Sequence, residues 1–249
     1  MIINLSMKSH RSLKISLLVL TLSCLFAVDS RASDKPRKAP PAKPANQYVT
    51  FDAHPNEHIT VAAEPCDDPK DCDFFRLPYI QHGFLPIRVI FTNDSDAAIS
   101  LDDARIQFIS INNDKIPAAT DDDIQRRLFS TKSAKGREVP LPLPIPPIHL
   151  HDKPVDKQIT EDDNDFGFTA TTVKPHSTLA GYLLYDVHPL DDPPLKGAQL
   201  FIKMVYTVPD KGGEKKQLFD FNIPFDKWLA AQSTQSSPAK SGAADPPKL

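Results

Sequence analysis

Eight glycines in 249 residues leave little material for a backbone phosphate cradle, and no glycine-rich phosphate loop occurs. Nor is there an HExxH pair, a nucleophile elbow or a CxxC redox pair, so the usual signatures of metalloproteases, serine hydrolases and thiol oxidoreductases are missing. Cysteine is confined to Cys24, Cys66 and Cys72, and tryptophan to Trp228. The apolar run ISLLVLTLSCLFAV, from Ile15 to Val28, falls short of the about 20 residues that a permanent membrane helix needs.

That run has a different use. Lys8, Arg11 and Lys14 precede it and Ser30-Arg31-Ala32 follow it, the basic, apolar and small-residue order of a secretory signal. Residues 1–32 are therefore expected to be a signal peptide cleaved after Ala32. The chain is then extracytoplasmic, periplasmic or secreted, and associated with the cell envelope. Cys24 closes LTLSC, a loose lipobox with Thr21 where leucine is usual, so a lipid anchor at Cys24 is the lesser alternative. The membrane enters as a partner only through the export signal or that anchor.

Beyond residue 32 the charge is minus 6, with 25 basic and 31 acidic residues. It is unevenly spread: residues 33–47 carry four basic groups and one acid, while residues 48–231 total minus 10. An acidic body lacks the positive footprint that nucleic acid requires. Residues 33–47, SDKPRKAPPAKPANQ, are expected to form a Pro/Lys-rich, semi-extended linker. Residues 232–249 bear almost no large apolar side chain and are expected to be a disordered tail.

In an exported chain the even pair in CDDPKDC, Cys66 and Cys72, points to a disulfide. A five-residue spacing matches no common zinc pattern, and no second pair exists.

Between residues 48 and 231 the apolar residues come in short, often alternating runs, as in strands. Strands are expected at 48–51, 58–63, 85–91, 98–101, 104–109, 166–173, 179–187, 198–207 and 217–223. Nine short strands separated by turn residues suggest an all-β antiparallel sandwich. Leu85, Ile87, Val89 and Phe91 share one strand face, with Arg88 on the other. Asn93-Asp94-Ser95-Asp96 then reads as a turn, since short polar side chains bond their own backbone. Asn93-Asp94-Ser95 also matches a glycosylation acceptor, which implies surface exposure at most.

An insertion at about 115–165 carries one short helix, TDDDIQRRLFS from Thr120 to Ser130. Thr120 and Asp123 form a capping box, the acids lie at the positive helix end, and Ile124 and Leu128 form an apolar stripe. A further helical turn at Asp226 to Ala231 uses Trp228 as an anchor. PLPLPIPPIHL, Pro140 to Leu150, has too many prolines for a central strand and is expected to run extended.

Candidate chemistry is sparse. His149 and His151 would point the same way on an extended chain, a spacing that metal sites use, but no third ligand is evident. His54 and His58 are four apart without a clear helix. EDDNDFG, Glu161 to Gly167, imitates a calcium loop, yet Phe166 stands where glycine is required and Thr172 where glutamate is; an acidic turn is expected instead. Asp191-Asp192 precede Pro193-Pro194 and read as a turn. No catalytic, cofactor-binding or metal residue is assigned.

FLPIRVIFTNDSDAAISLDDARIQF resembles the strand-turn-strand of secreted bacterial Ig-like modules, and VKPHSTLAGYLLYDV resembles their later glycine-bearing strand. FNIPFDKWL resembles the closing strand of secreted proteins of unknown function from soil bacteria. The resemblance implies an Ig-like sandwich outside the cytosol and transfers no catalytic residue. The expectation is a non-enzymatic exported module binding a protein, glycan or envelope component. The alternative is a metal-binding extracytoplasmic protein using His149, His151 and nearby acids.

Overall fold

The computed structural model describes residues 37–128, 137–139, 148–150, 154–209 and 213–235. Residues 1–36, where the signal peptide and Cys24 were expected, residues 140–147 of the proline segment and residues 236–249 lie outside them. Among the described residues the fold is mostly antiparallel β, arranged as in a β-sandwich. One four-stranded sheet has the order β1 (Phe51–His54), β2 (Ile59–Pro65), β3 (Phe84–Asn93), β10 (Ser177–Asp186). The other runs β13 (Phe221–Pro224), β11 (Gln199–Lys203), β5 (Arg105–Ile109), β6 (Lys115–Pro117). A small sheet of β12 (Tyr206–Thr207), β4 (Ile99–Ser100) and β9 (Thr172–Val173) adds to these, as does the hairpin β7 (Arg137–Val139) with β8 (Ile148–Leu150).

β3 is paired on both sides and all ten of its residues are buried. Side chains alternate across a strand. Leu85, Ile87, Val89 and Phe91 accordingly enter one core together with Phe108, Leu200, Ile202 and Phe221 of the facing sheet. Each such side chain stabilises the fold by about 1.5–3 kcal/mol relative to exposure.

The opposite face of β3 is covered as well. Phe84 joins Phe75, Tyr79, Ile124, Ile159 and Phe166 in a second apolar cluster, and Ile90 packs with Ala45 and Ala62. Residues 37–47 run along this face rather than away from the body. They are mostly exposed but tethered: Arg37 donates to the carbonyls of Phe74 and Phe75, Arg88 donates to the Pro40 carbonyl, and the Ala45 N–H donates to Thr92.

Helix α1 (Asp121–Leu128) carries the expected capping box, with the Thr120 hydroxyl donating to Asp123 (2.7 Å) and the Asp123 N–H donating back (3.3 Å). Ile124 and Leu128 are buried beneath it. The run at 161–165 is not a turn. It belongs to a further insertion helix, α2 (Val155–Phe166), so among the described residues the insertion holds two helices where one was expected. Val155, Ile159, Asp162 and Phe166 recur at the spacing of one helical face. A carboxylate in one of those inward positions hides the apolar stripe from inspection. Because Phe166 ends this helix, the strand expected at 166–173 shrinks to β9.

The strand expected at 198–207 divides into β11 and β12 at Met204, whose φ of 61° breaks the ladder. The strand expected at 48–51 begins at Phe51 instead. Helix α3 (Asp226–Gln235) extends the expected helical turn four residues into the stretch read as tail. Cys66 and Cys72 are paired, with Cα atoms 6.0 Å apart.

An unpaired sheet edge invites association. Along β13, the Asn222 N–H donates to Asp52 (2.8 Å), and just before the strand the Phe219 N–H donates to Glu57 (3.1 Å). The His54 ring stacks on Phe221 at 4.1 Å and meets Glu57 at 3.0 Å. Side chains of β1 and its turn thus close the seam where the two sheets meet.

Candidate binding cleft

Three segments converge at one end of the two main sheets. The first is the disulfide loop, residues 66–83, fastened by Cys66–Cys72 and by the buried rings of Phe75 and Tyr79. The second is the connection after β10, with its Asp191-Asp192-Pro193-Pro194 corner and a cis Asp192–Pro193 bond. The third is α3, which places Trp228 and Leu229 against the main core.

Between them lies a cavity of about 420 Å³. Its walls are largely apolar, including Ile80, Phe84, Val187, Leu190, Leu195 and Leu229, while Asp67, His188, Asp191 and Asp192 supply polar groups. Gly83 makes this closeness feasible: its φ is +80°, and a Cβ there would lie 2.6 Å from His188 Cβ. Its carbonyl also accepts from the Val187 N–H at 2.9 Å, holding the first two segments together.

A second cavity of about 240 Å³ is lined by Glu64, Asp67, Asp71, Phe74, Tyr182 and Trp228. Trp228 Nε1 donates to Asp67 at 3.4 Å, so helix and disulfide loop meet here. Burial pushes the Asp67 carboxyl above its ordinary value; its own backbone and Trp228 hold it down, and Asp68 and Asp71 raise it further. Glu64 is also raised by burial, against the pull of Arg88 and Lys43. Arg88 stands 3.9 Å from Glu64 and 5.8 Å above the Tyr182 ring. Burial pushes Tyr182 up to about 12.

The disulfide loop is anchored to α2 by a charged knot that sequence inspection missed. Asp162, 3% exposed, accepts from the Arg76 N–H (3.0 Å), the Arg76 guanidinium (2.8 Å) and the Tyr79 hydroxyl (3.0 Å). Glu161 and Asp165 meet the same guanidinium at 3.1 and 2.5 Å. Burial raises Asp162, with Arg76 and Tyr79 opposing it. With both Asp162 oxygens oriented on Arg76 and Tyr79, the knot is a structural tie between loop and helix.

The other candidates disperse. Asn93 is fully buried: Nδ2 donates to the carbonyls of Ala97, Val173 and Lys174, and Oδ1 accepts from Ser95. The turn reading holds, while the surface exposure that glycosylation would require does not. His54 faces Glu57 and Asp52, and His58 sits in the next turn with a φ of 55°. Asp191 accepts from Asn112 at 3.2 Å within its corner. The side chain of His149 and all of His151 lie outside the described residues. Among the described residues no group of three or more His, Cys, Asp or Glu could hold a metal ion, and no helix is long and apolar enough to cross a membrane.

Trp228 was visible in the sequence as an anchor, but its meeting with Asp67, Glu64 and Tyr182 needed four segments brought together. No protein-family model, curated protein or solved structure matches this chain.

Proposed function

We propose that this chain is an exported, non-enzymatic Ig-like module that binds a partner in the cleft formed by the disulfide loop, the connection after β10 and α3. The Ig-like reading is supported by strand order. β2-β3-β10 corresponds to strands A-B-E of that architecture, and β13-β11-β5-β6 to G-F-C with an added C′ strand. Ligands of sandwiches commonly meet the loops at one end of the sheets, where variable side chains sit on a rigid frame.

The observation that carries the binding reading is the apolar cavity of about 420 Å³ with a few convergent polar groups, the usual composition of a ligand site. The export signal and the acidic body fit an extracytoplasmic partner in the envelope.

The test is affinity capture from envelope fractions with full-length tagged protein and with Leu190→Glu, which places a charge on the apolar wall. A partner retained by the wild type and lost by the variant, at unchanged urea midpoint, supports the reading. A partner held equally by both, or turnover in an esterase, glycosidase and peptidase panel, refutes it.

A further inference from the structure

The smaller cavity brings aromatic rings and carboxylates together. Aromatic rings from three segments, Phe74, Tyr182 and Trp228, share it with carboxylates Glu64, Asp67 and Asp71. Trp228 is held in place by its hydrogen bond to Asp67, and Phe74 by contacts with Phe75, Phe166 and Tyr182. The walls are therefore built rather than loose.

The electrostatics favour one sign of ligand. The charges acting on Asp67 come from Asp68 and Asp71, both of its own sign. Glu64 is offset by Arg88 and Lys43, but Arg88 also donates to the Pro40 carbonyl and is 5% exposed, so it serves as floor rather than occupant. Carboxylates at the mouth of an aromatic cavity, half-buried Glu64 and exposed Asp67 and Asp71, gain most from a cation that is weakly hydrated and spread over several carbons. Such a group meets the Phe74 and Trp228 rings through cation–π attraction, Tyr182 already lying under Arg88, and the acids through charge.

We propose that this cavity binds an organic ammonium group, presented either as a lysine-type side chain or as a quaternary ammonium headgroup. This deepens the binding reading and rests on it only for the biological source of the ligand. The two can fail separately, because the larger cleft is tested by partner capture and this one by a small probe.

Trp228 is the chain's only tryptophan, so its fluorescence reports on this cavity directly. The full chain is titrated with choline, with Nα-acetyl-lysine methylamide, with 3,3-dimethylbutanol as the uncharged shape match of choline, and with glucose. A saturable change with one or both ammonium probes, absent with the alcohol and glucose, is expected. Which ammonium probe binds more tightly identifies the source. Asp67→Asn and Glu64→Gln are each expected to weaken binding at least fivefold, and Asp71→Asn by less, at unchanged urea midpoint. Affinity should also fall as pH drops and Glu64 and Asp67, both raised, take up protons, over a range above that of ordinary carboxylates. No saturable change, equal binding of the alcohol, binding of glucose instead, or unaltered affinity in all three variants would overturn the proposal.

Discussion

Removing the Asp162 carboxylate should be among the most damaging single changes in this protein, because it strands several buried partners together. In Asp162→Ala the Arg76 N–H and the Tyr79 hydroxyl lose their acceptor, and the guanidinium keeps only Glu161 and Asp165. Arg76 is 14% exposed and Asp162 3%, so water replaces little of what is lost. Breaking a buried ion pair from one side costs ~3–5 kcal/mol. For a body of this size that corresponds to a fall in Tm of about 6–20 °C. Asp162→Asn keeps an acceptor while removing the charge and should cost less, about 1–3 kcal/mol. Asp165→Ala, which leaves Asp162 in place, removes one charged hydrogen bond and should cost about 1.5–3 kcal/mol. Urea unfolding followed by Trp228 fluorescence gives all three values, with an unchanged slope as the check on two-state behaviour. If Asp162→Ala costs no more than Asp165→Ala, the knot is not what holds the disulfide loop to α2.

Three further outcomes are expected. Asn93→Ala leaves the carbonyls of Ala97, Val173 and Lys174 without their shared donor and should cost about 1–3 kcal/mol by chemical denaturation; a cost within a few tenths would mean the turn forms without it. Gly181→Ala puts a Cβ 2.6 Å from the Phe168 nitrogen and 2.7 Å from its ring, so a loss of about 1–3 kcal/mol is expected, with amide shifts at Phe168 as the local readout. Asp123 is held below the usual carboxylate value chiefly by the Thr120 hydroxyl. Its folded-state pKa is depressed, so the support it lends α1 is full above the unfolded value and fades as pH falls through the folded one; a lower protection factor of the Ile124 amide on acidification, absent in Thr120→Ala, checks this.

The legible parts of the sequence were those in which local chemistry and tertiary role agree. Alternating Leu85, Ile87, Val89 and Phe91 marked β3 because that strand's inner face is uniformly apolar. Thr120 and Asp123 marked α1 because a capping box acts within one helical turn. Helix α2 was hidden for the opposite reason: Asp162 fills a place on its inward stripe that an apolar residue would normally take, and only Arg76 and Tyr79, more than eighty residues earlier, make that place habitable. The arm at 37–47 looked like a free linker since its prolines form no ladder. Its tethers are arginine side chains and carbonyls distant in the chain, which composition does not register.

The sequence by itself determined the strand-rich class, the Asn93 turn, the first insertion helix and the cysteine pairing, all of which follow from neighbours a few residues apart. Only the tertiary structure decided what covers the outer face of β3, why a carboxylate lies buried in α2, and that Glu64, Asp67, Tyr182 and Trp228 surround one cavity. Those features depend on contacts between residues tens to well over a hundred positions apart, and burial, which alters their chemistry, exists only once the chain has closed around them.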